Sequence, residues 1–403
     1  MNPGAPAFAD LHLHLGRTGD GRPVKVTASG AMDLSRVLET ARGIKGLDLV
    51  AVVDAAAPGV RRDIDFLVDR GEMAPLAGGG YLTSGGLGFI PAVEVEVGAG
   101  SGGSAHLILY LPDRTSLEAV SRWLAVRVAN PHLSTQRVRS DPAELAAVAA
   151  AEGGFAVVAH LFTPYKGLLG RPGAPSPAAL AGDSYLPAVE LGLSADSELA
   201  DRLPELASLS FLSNSDAHSL GTVAREYMAL ELEELSLHEL RLALDGPGGS
   251  QGRRIRANYG LDPRLGKYHR TWCQHCARTA GESPPILECP LCGNPEPVVG
   301  VLDRVMERSG SAPVRPPAGR PPYVHQVPLA DLPGIGPATR RVLLEAFGTE
   351  MAVLHRAEEA DLAGVVGEDR ANLIARARRG ELCIRPGGGG HYGRVVKNPC
   401  RPA

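Results

Sequence analysis

Two histidines one residue apart, in Asp10-Leu11-His12-Leu13-His14, are the first residues of this chain with chemistry in their spacing. Side chains alternate faces along a strand, so His12 and His14 are expected on one face and Leu11, Leu13 and Leu15 on the other. Imidazoles converging on one face are a natural start for a metal site. Further ligand-type residues recur at or just beyond the ends of short apolar runs. Asp54 follows Leu49–Val53, Glu94 lies in Phe89–Val97, His106 in Ala105–Leu111 and His160 in Phe155–Leu161. Glu190 lies in Leu186–Leu193, and Asp216 and His218 follow Ser208–Ser213. Uncompensated charges at the ends of buried strands are costly, so a set this large calls for a common cationic partner. His132 and His238 fall outside the pattern and read as ordinary polar residues.

A second metal signal lies downstream. Cys273-x-x-Cys276 and Cys289-x-x-Cys292 offer four thiolates for a closed tetrahedral zinc site with a structural role. Further on, Leu332-Pro333-Gly334-Ile335-Gly336-Pro337-Ala338-Thr339 resembles the hairpin of a helix-hairpin-helix motif. There Gly334 and Gly336 would turn the chain so that backbone N–H groups and a helix N-terminus face a phosphate. Thr339, Arg340 and Arg341 follow, and Lys267 and Arg270 precede the first cysteine pair, which makes all of these candidate DNA contacts. A degenerate second hairpin is expected at Leu362–Gly367.

The elements that must position these groups alternate. Up to about residue 245, apolar strands rich in Val, Leu and Ile are separated by helical patterns at Leu34–Arg42, Ile64–Arg70, Leu117–Val128, Pro142–Ala151 and Leu199–Leu206. That alternation argues for a parallel α/β arrangement, either a barrel or an open sheet. In a barrel, the C-terminal strand ends face one site. After Asp245 a break at Gly246–Ser250 leads into a basic stretch, and residues from about 325 to 380 read as helical.

The overall charge of −4 hides an asymmetry. Residues 1–250 carry 19 basic and 30 acidic side chains, and residues 251–403 carry 22 and 15. An acidic body joined to a basic partner suggests contact with a polyanion. No apolar run reaches the roughly 18–20 residues of a membrane span, so no membrane association is expected. The N-terminus lacks the basic and apolar regions of a signal peptide, which points to a cytoplasmic, nucleoid-associated protein.

The order Asp10-x-His12-x-His14, Gly46-Leu47-Asp48, Asp54, Pro91-Ala92-Val93-Glu94, His106, Ala159-His160 and Asp216-Ala217-His218 resembles the PHP (polymerase and histidinol phosphatase) superfamily. The resemblance implies a distorted (β/α)7 barrel with two or three divalent metals (Zn, Mn, Mg or Fe) at its C-terminal face. By that resemblance His12, His14, Glu94 and Asp216 would hold one metal, and Glu94, His106 and His160 a second. Asp54 and His218 would contribute to a third position. Asp216 and Glu94 would be central to catalysis, Arg225 a phosphate-side helper, and Glu190 an outer residue of unassigned role.

With the four-cysteine module and the hairpin following in this order, the chain is similar to the endonuclease Q family along most of its length. The matching text includes Ser213-Asn214-Ser215-Asp216-Ala217-His218-Ser219 and Gly266-Lys267-Tyr268-His269-Arg270-Thr271. The resemblance implies a repair nuclease that hydrolyses the phosphodiester 5′ to a deaminated base (uracil, hypoxanthine or xanthine) or an abasic site. Tyr165 and Phe162 are the candidates for stacking on an extruded base. The second reading is a phosphoesterase or exonuclease acting on small monoesters or DNA 3′ ends. Damaged DNA is the expected partner, with other repair or replication proteins as further candidates.

The domain expectation follows: a PHP metallo-phosphoesterase domain over 1–245, a basic linker over 246–265 and a four-cysteine zinc module over 266–309. A Pro-rich linker spans 310–324, an all-α helix-hairpin-helix domain 325–382, and a Gly-rich flexible tail 383–403.

Overall fold

The computed structural model describes residues 5–100, 103–310 and 313–396. Seven strands form the frame: β1 (Ala7–Leu13), β2 (Leu49–Val52), β3 (Gly88–Gly98), β4 (Ser104–Tyr110), β5 (Phe155–Val158), β6 (Ala188–Glu190) and β7 (Ser210–Leu212). They pair in sequence order. The ring closes where Ala217, beyond β7, bridges Leu13 in parallel. There His14 N–H donates to the Ala217 carbonyl at 3.1 Å, and Ala217 N–H to that of His12 at 3.3 Å. The result is a distorted seven-stranded barrel.

Two apolar layers hold it. One buried cluster draws on every strand, including Leu11, Ala51, Ile90, Ile108, Val157, Ala188 and Leu212. The alternate residues, such as Val50, Leu107, Ala156 and Phe211, pack outward against helices that include Pro58–Asp69, Arg114–Ala125 and Pro142–Ala151. Burial on both faces is why these strands read as continuous apolar runs.

Two departures from the expected parallel barrel place the site. First, β4 runs antiparallel to both β3 and β5, while the remaining neighbours of the ring are parallel. Its N-terminal end therefore lies beside the C-terminal ends of the others, and His106 reaches the shared face from there. Second, β1 is irregular against β2: Asp10 pairs with Val50, but Leu13 with Val52. The extra residue breaks the alternation. Leu11 stays in the interior layer, Leu13 and Leu15 turn to the helices, and His12 and His14 face the centre. Leu11 thus does not share a face with Leu13 and Leu15.

The stretch expected as a basic linker instead contributes a strand to the sheet. β8 (Tyr227–Glu231) pairs antiparallel with β1, β9 (Arg254–Gly260) antiparallel with β8, and β10 (Tyr323–His325) parallel to β9. Along β9, Ile255 and Ala257 are buried while Arg254 and Arg256 are exposed. The exposed arginines bond Glu231, and Arg253 bonds Glu233 and Glu239, so this basic run neutralises acidic neighbours within the chain.

The C-terminal stretch expected to be a flexible tail forms a hairpin, Ile384–Arg385 with Arg394–Val395. Its glycines let it lie close: a Cβ on Gly389 would come within 2.6 Å of the Trp272 indole nitrogen. Residues 397–403 of that stretch lie outside the described residues.

Candidate metal centre and cleft

The strand ends bring the histidines and carboxylates into two donor sets. His12, His14 and Asp216 form one, and Glu94, His106 and His160 the other. His12 Nε2 lies 3.3 Å from His14 Nε2, and 3.5 Å from both Glu94 Oε1 and Asp216 Oδ1. His14 Nε2 is 3.4 Å from Asp216 Oδ1 and 3.4 Å from Glu94 Oε2. Glu94 Oε1 stands 2.7 Å from His106 Nδ1 and 3.4 Å from His160 Nε2, which places Glu94 between the sets.

The other faces of the rings are held. His12 Nδ1 lies 2.8 Å from Glu190 Oε2, and His14 Nδ1 lies 2.9 Å from Asp54 Oδ1. These contacts orient both Nε2 atoms toward the centre, as carboxylates behind metal-binding imidazoles do. The role left unassigned for Glu190 is therefore to orient His12. The residues expected at a third metal position do not form a third set of three: Asp54 spends its second oxygen on the Leu15 N–H, while His218, with Nδ1 3.0 Å from the Asp216 carbonyl, keeps its Nε2 uncommitted by that contact. Among the described residues the barrel offers two donor sets.

Electrostatics fit a cation site. Burial opposes a charge on His12, yet Glu190, Asp216 and Glu94 outweigh it and push its pKa up to about 9. His14 and His160 are also raised against burial by nearby carboxylates. Burial would lift Asp216 and Glu94, but the surrounding histidines, with Lys25 beside Glu94, hold both carboxylates well below their ordinary range. Imidazoles that gain protons in this way mark a pocket built for positive charge. The backbone is strained here too: His160, Asp216 and Ala224 have φ of +28°, +46° and +56°. Gly192 lies so close behind His160 that a Cβ would sit 3.0 Å from that of the histidine.

Beside the centre opens a cleft of about 180 Å³ lined by His160, Asp216, Arg225, Lys267, Tyr268 and Tyr392 among others. Arg225 donates to the Ser215 carbonyl at 2.7 Å and its NH1 lies 3.2 Å from the Tyr392 hydroxyl. The Lys267 ammonium stands 4.5 Å from the Tyr392 ring centroid. Tyr165, 49% exposed, meets Tyr268 edge to face with centroids 5.8 Å apart. Phe162 is 2% exposed within the helix-side core, so it is not available for stacking. Tyr268 and Tyr392 were not expected here, because a zinc-module loop and the final hairpin bring them to the cleft.

No protein-family model matches the chain. It is 41% identical over 393 residues to the uncharacterized protein YqxK of Bacillus subtilis, covering 96% of this chain and 98% of that protein. The structure of the lesion-specific endonuclease Q of Pyrococcus furiosus matches with TM-score 0.80 and 30% identity, over 96% of this chain and 94% of that one. The chain belongs to the endonuclease Q family. A structure of endonuclease Q with a 27-mer duplex bearing an abasic lesion at its active site also matches at TM-score 0.80 and 30% identity, over 96% of each chain. As a family member the chain is a phosphodiesterase.

Around this endonuclease Q barrel sit the two other modules. Cys273 and Cys292 sulfurs lie 3.6 Å apart, as do those of Cys276 and Cys289, and all four thiols converge. That is a donor set for a structural zinc-type ion. Arg270, a candidate DNA contact, is committed instead to the buried Asp303 at 3.1 Å and to the Glu282 carbonyl.

At the hairpin, Gly334 adopts φ +89° and Gly336 caps the helix Pro337–Phe347, whose first turn carries Pro337 and Thr339. The helix before it is reduced to a single 3₁₀ turn, Leu329–Asp331. Arg341 is 74% exposed, whereas Arg340 reaches within 3.9 Å of Glu350. The second hairpin expected over Leu362–Gly367 is not formed: Leu362–Val366 belong to the helix Glu359–Val366, and Gly367 alone, φ +84°, turns the chain into the helix Glu368–Arg378. A buried Lys45–Glu350 ion pair of 2.9 Å and a Phe8–His355 ring stack bind this module to the barrel. No helix is long and apolar enough to cross a membrane among the described residues.

Proposed function

We propose that this protein is a DNA repair endonuclease that hydrolyses the phosphodiester 5′ to an abasic site or a deaminated base such as uracil, hypoxanthine or xanthine. The observation that carries this reading is the cleft itself. Two cation-type donor sets share one wall with Arg225 and Lys267 and with the aromatic faces of Tyr268 and Tyr392. A monoester needs charge but no stacking surface; a nucleotide drawn out of a duplex needs both.

His12, His14 and Asp216 would hold one divalent cation, and Glu94, His106 and His160 a second. Bound there, such cations supply Lewis acidity at phosphate oxygen and lower the pKa of water. Glu190 and Asp54 keep His12 and His14 aimed. Arg225, anchored by Nε on the Ser215 carbonyl and meeting the Tyr392 hydroxyl, lines the cleft with its guanidinium charge. The hairpin at Gly334 and Gly336, with Thr339 and Arg341, would take DNA backbone without reading sequence.

The test uses purified full-length protein with Mn²⁺, Mg²⁺ or Zn²⁺ and labelled duplexes carrying one abasic site, dU or dI. An undamaged duplex and a phosphate monoester run beside them. Cuts confined to the 5′ side of the lesion support the reading. Equal cutting of undamaged DNA, or turnover of the monoester alone, overturns it.

A further inference from the structure

Lys25 is a cation among would-be cation ligands. Its segment is pinned beside the end of β1, with Lys25 N–H on the Leu15 carbonyl and Val24 N–H on that of Gly16, each at 3.0 Å. The ammonium lies 3.2 Å from Glu94 Oε2, and its side chain is only 13% exposed. It also bonds the Thr135 hydroxyl, which itself donates to the same Glu94 oxygen at 2.8 Å. Thr135 holds φ +50° to do so, a costly conformation for a β-branched residue that persists only where its surroundings impose it.

Glu94 is thereby divided. Its Oε1 faces His12, His106 and His160, while Oε2 meets His14, Thr135 and Lys25. Of the two residues expected at a third metal position, Asp54 has both oxygens committed, to His14 and the Leu15 N–H, and His218 uses only Nδ1, on the Asp216 carbonyl, so it is Lys25 that occupies the Glu94 side of that position. Resting on the metal reading above, we propose that the Lys25 ammonium takes the place of a third divalent cation, fixing Glu94 between two metals. The charge balance agrees. Glu94, Asp216, Asp54, Glu190 and the buried Asp10 carry five negative charges, which two divalent cations and the Lys25 ammonium match, and a third divalent cation beside Lys25 would leave two positive charges in excess.

The test counts metals. Full-length protein is stripped, reloaded with Mn²⁺, passed over a desalting column and analysed for manganese and zinc. The wild-type chain is expected to hold two manganese ions beside the zinc of the cysteine site. Lys25→Met is expected to hold two, and Lys25→Asp three, since a carboxylate then replaces the ammonium at Glu94 Oε2. As a positioning residue, Lys25 should affect turnover rather than binding: Lys25→Met should lose about tenfold or more in kcat on a lesion-bearing duplex with KM within about twofold. Three barrel metals in the wild type, two in a folded Lys25→Asp protein, or an unchanged kcat in Lys25→Met would each overturn the proposal. The metal counts decide this even if no duplex is cut, so the role of Lys25 and the lesion-directed activity fail separately.

Discussion

Arg225 NH1 and the Tyr392 hydroxyl meet at 3.2 Å across the mouth of the cleft, joining the loop that carries Asp216 to the C-terminal hairpin. The last strands of the chain are thereby a wall of the site. Tyr392→Ala should weaken binding of a lesion-bearing duplex by about 1–3 kcal/mol, the usual range for losing an aromatic stacking partner. Tyr392→Phe, which keeps the ring, should lose less. Fluorescence anisotropy at fixed salt measures both, and equal affinity for all three proteins would remove Tyr392 from the DNA-contacting surface.

The carboxylates behind the histidines should act through metal affinity. Glu190→Gln and Asp54→Asn each keep size but weaken the grip on His12 and His14. Each is expected to lower Mn²⁺ affinity about 10–100-fold, read by titration against a competing chelator. Wild-type affinity in both would show that the rings are oriented by other contacts.

Protons and cations compete for the same nitrogens, which sets a pH dependence. His12 is raised from an ordinary value of 6.5 to about 9 in the absence of metal, and His14 and His160 are raised as well. Their protonation stabilises the metal-free fold fully below about pH 6.5, and that contribution is lost as pH climbs through about 9. Metal binding must expel those protons. The gain in Tm on adding Mn²⁺ should therefore be larger at pH 8.5 than at pH 6.5. Calorimetry in buffers of different ionisation enthalpy should also register proton release. A pH-independent gain would contradict this.

Glu226 gives a second pH-dependent test, of the same sign. It is fully buried, and burial, only partly offset by the Leu261 N–H, pushes its carboxyl from 4.5 up to about 8. The folded state then holds a proton that the unfolded state gives up, so stability falls as pH rises between about 4.5 and 8. Glu226→Gln should remove that slope, gaining on the order of a few kcal/mol relative to wild type at pH 8. Urea titrations at pH 5 and pH 8 check it; a constant difference between the two proteins would refute the assignment.

How much of this could be read from the chain alone follows from what each feature depends on. The ligand set was legible because His and carboxylates at the ends of apolar runs are costly without a shared partner, and His12, His14, Glu94, His106, His160 and Asp216 do converge. Strand direction was not legible, since Ala105–Leu111 reads the same either way, and the reversal of β4 came only with pairing. The irregularity in β1 is invisible for the same reason. Arg253, Arg254 and Arg256 read only as a basic stretch, because their partners Glu231, Glu233 and Glu239 lie on other elements. Tyr392 was hidden by its glycine-rich surroundings, whose closeness to Trp272 is a tertiary fact.

The most direct measurement is single-turnover incision of a 5′-labelled duplex with one abasic site, by wild-type and Asp216→Asn proteins, with and without Mn²⁺. Asp216 belongs to one donor set and lies 3.4–3.5 Å from both His12 and His14. The expected result is one metal-dependent cut 5′ to the lesion by the wild type, with Asp216→Asn slower by at least about a hundredfold, as loss of a metal-held charge demands. A cut that survives in Asp216→Asn, or one that needs no divalent cation, would contradict the metal centre as the source of the activity.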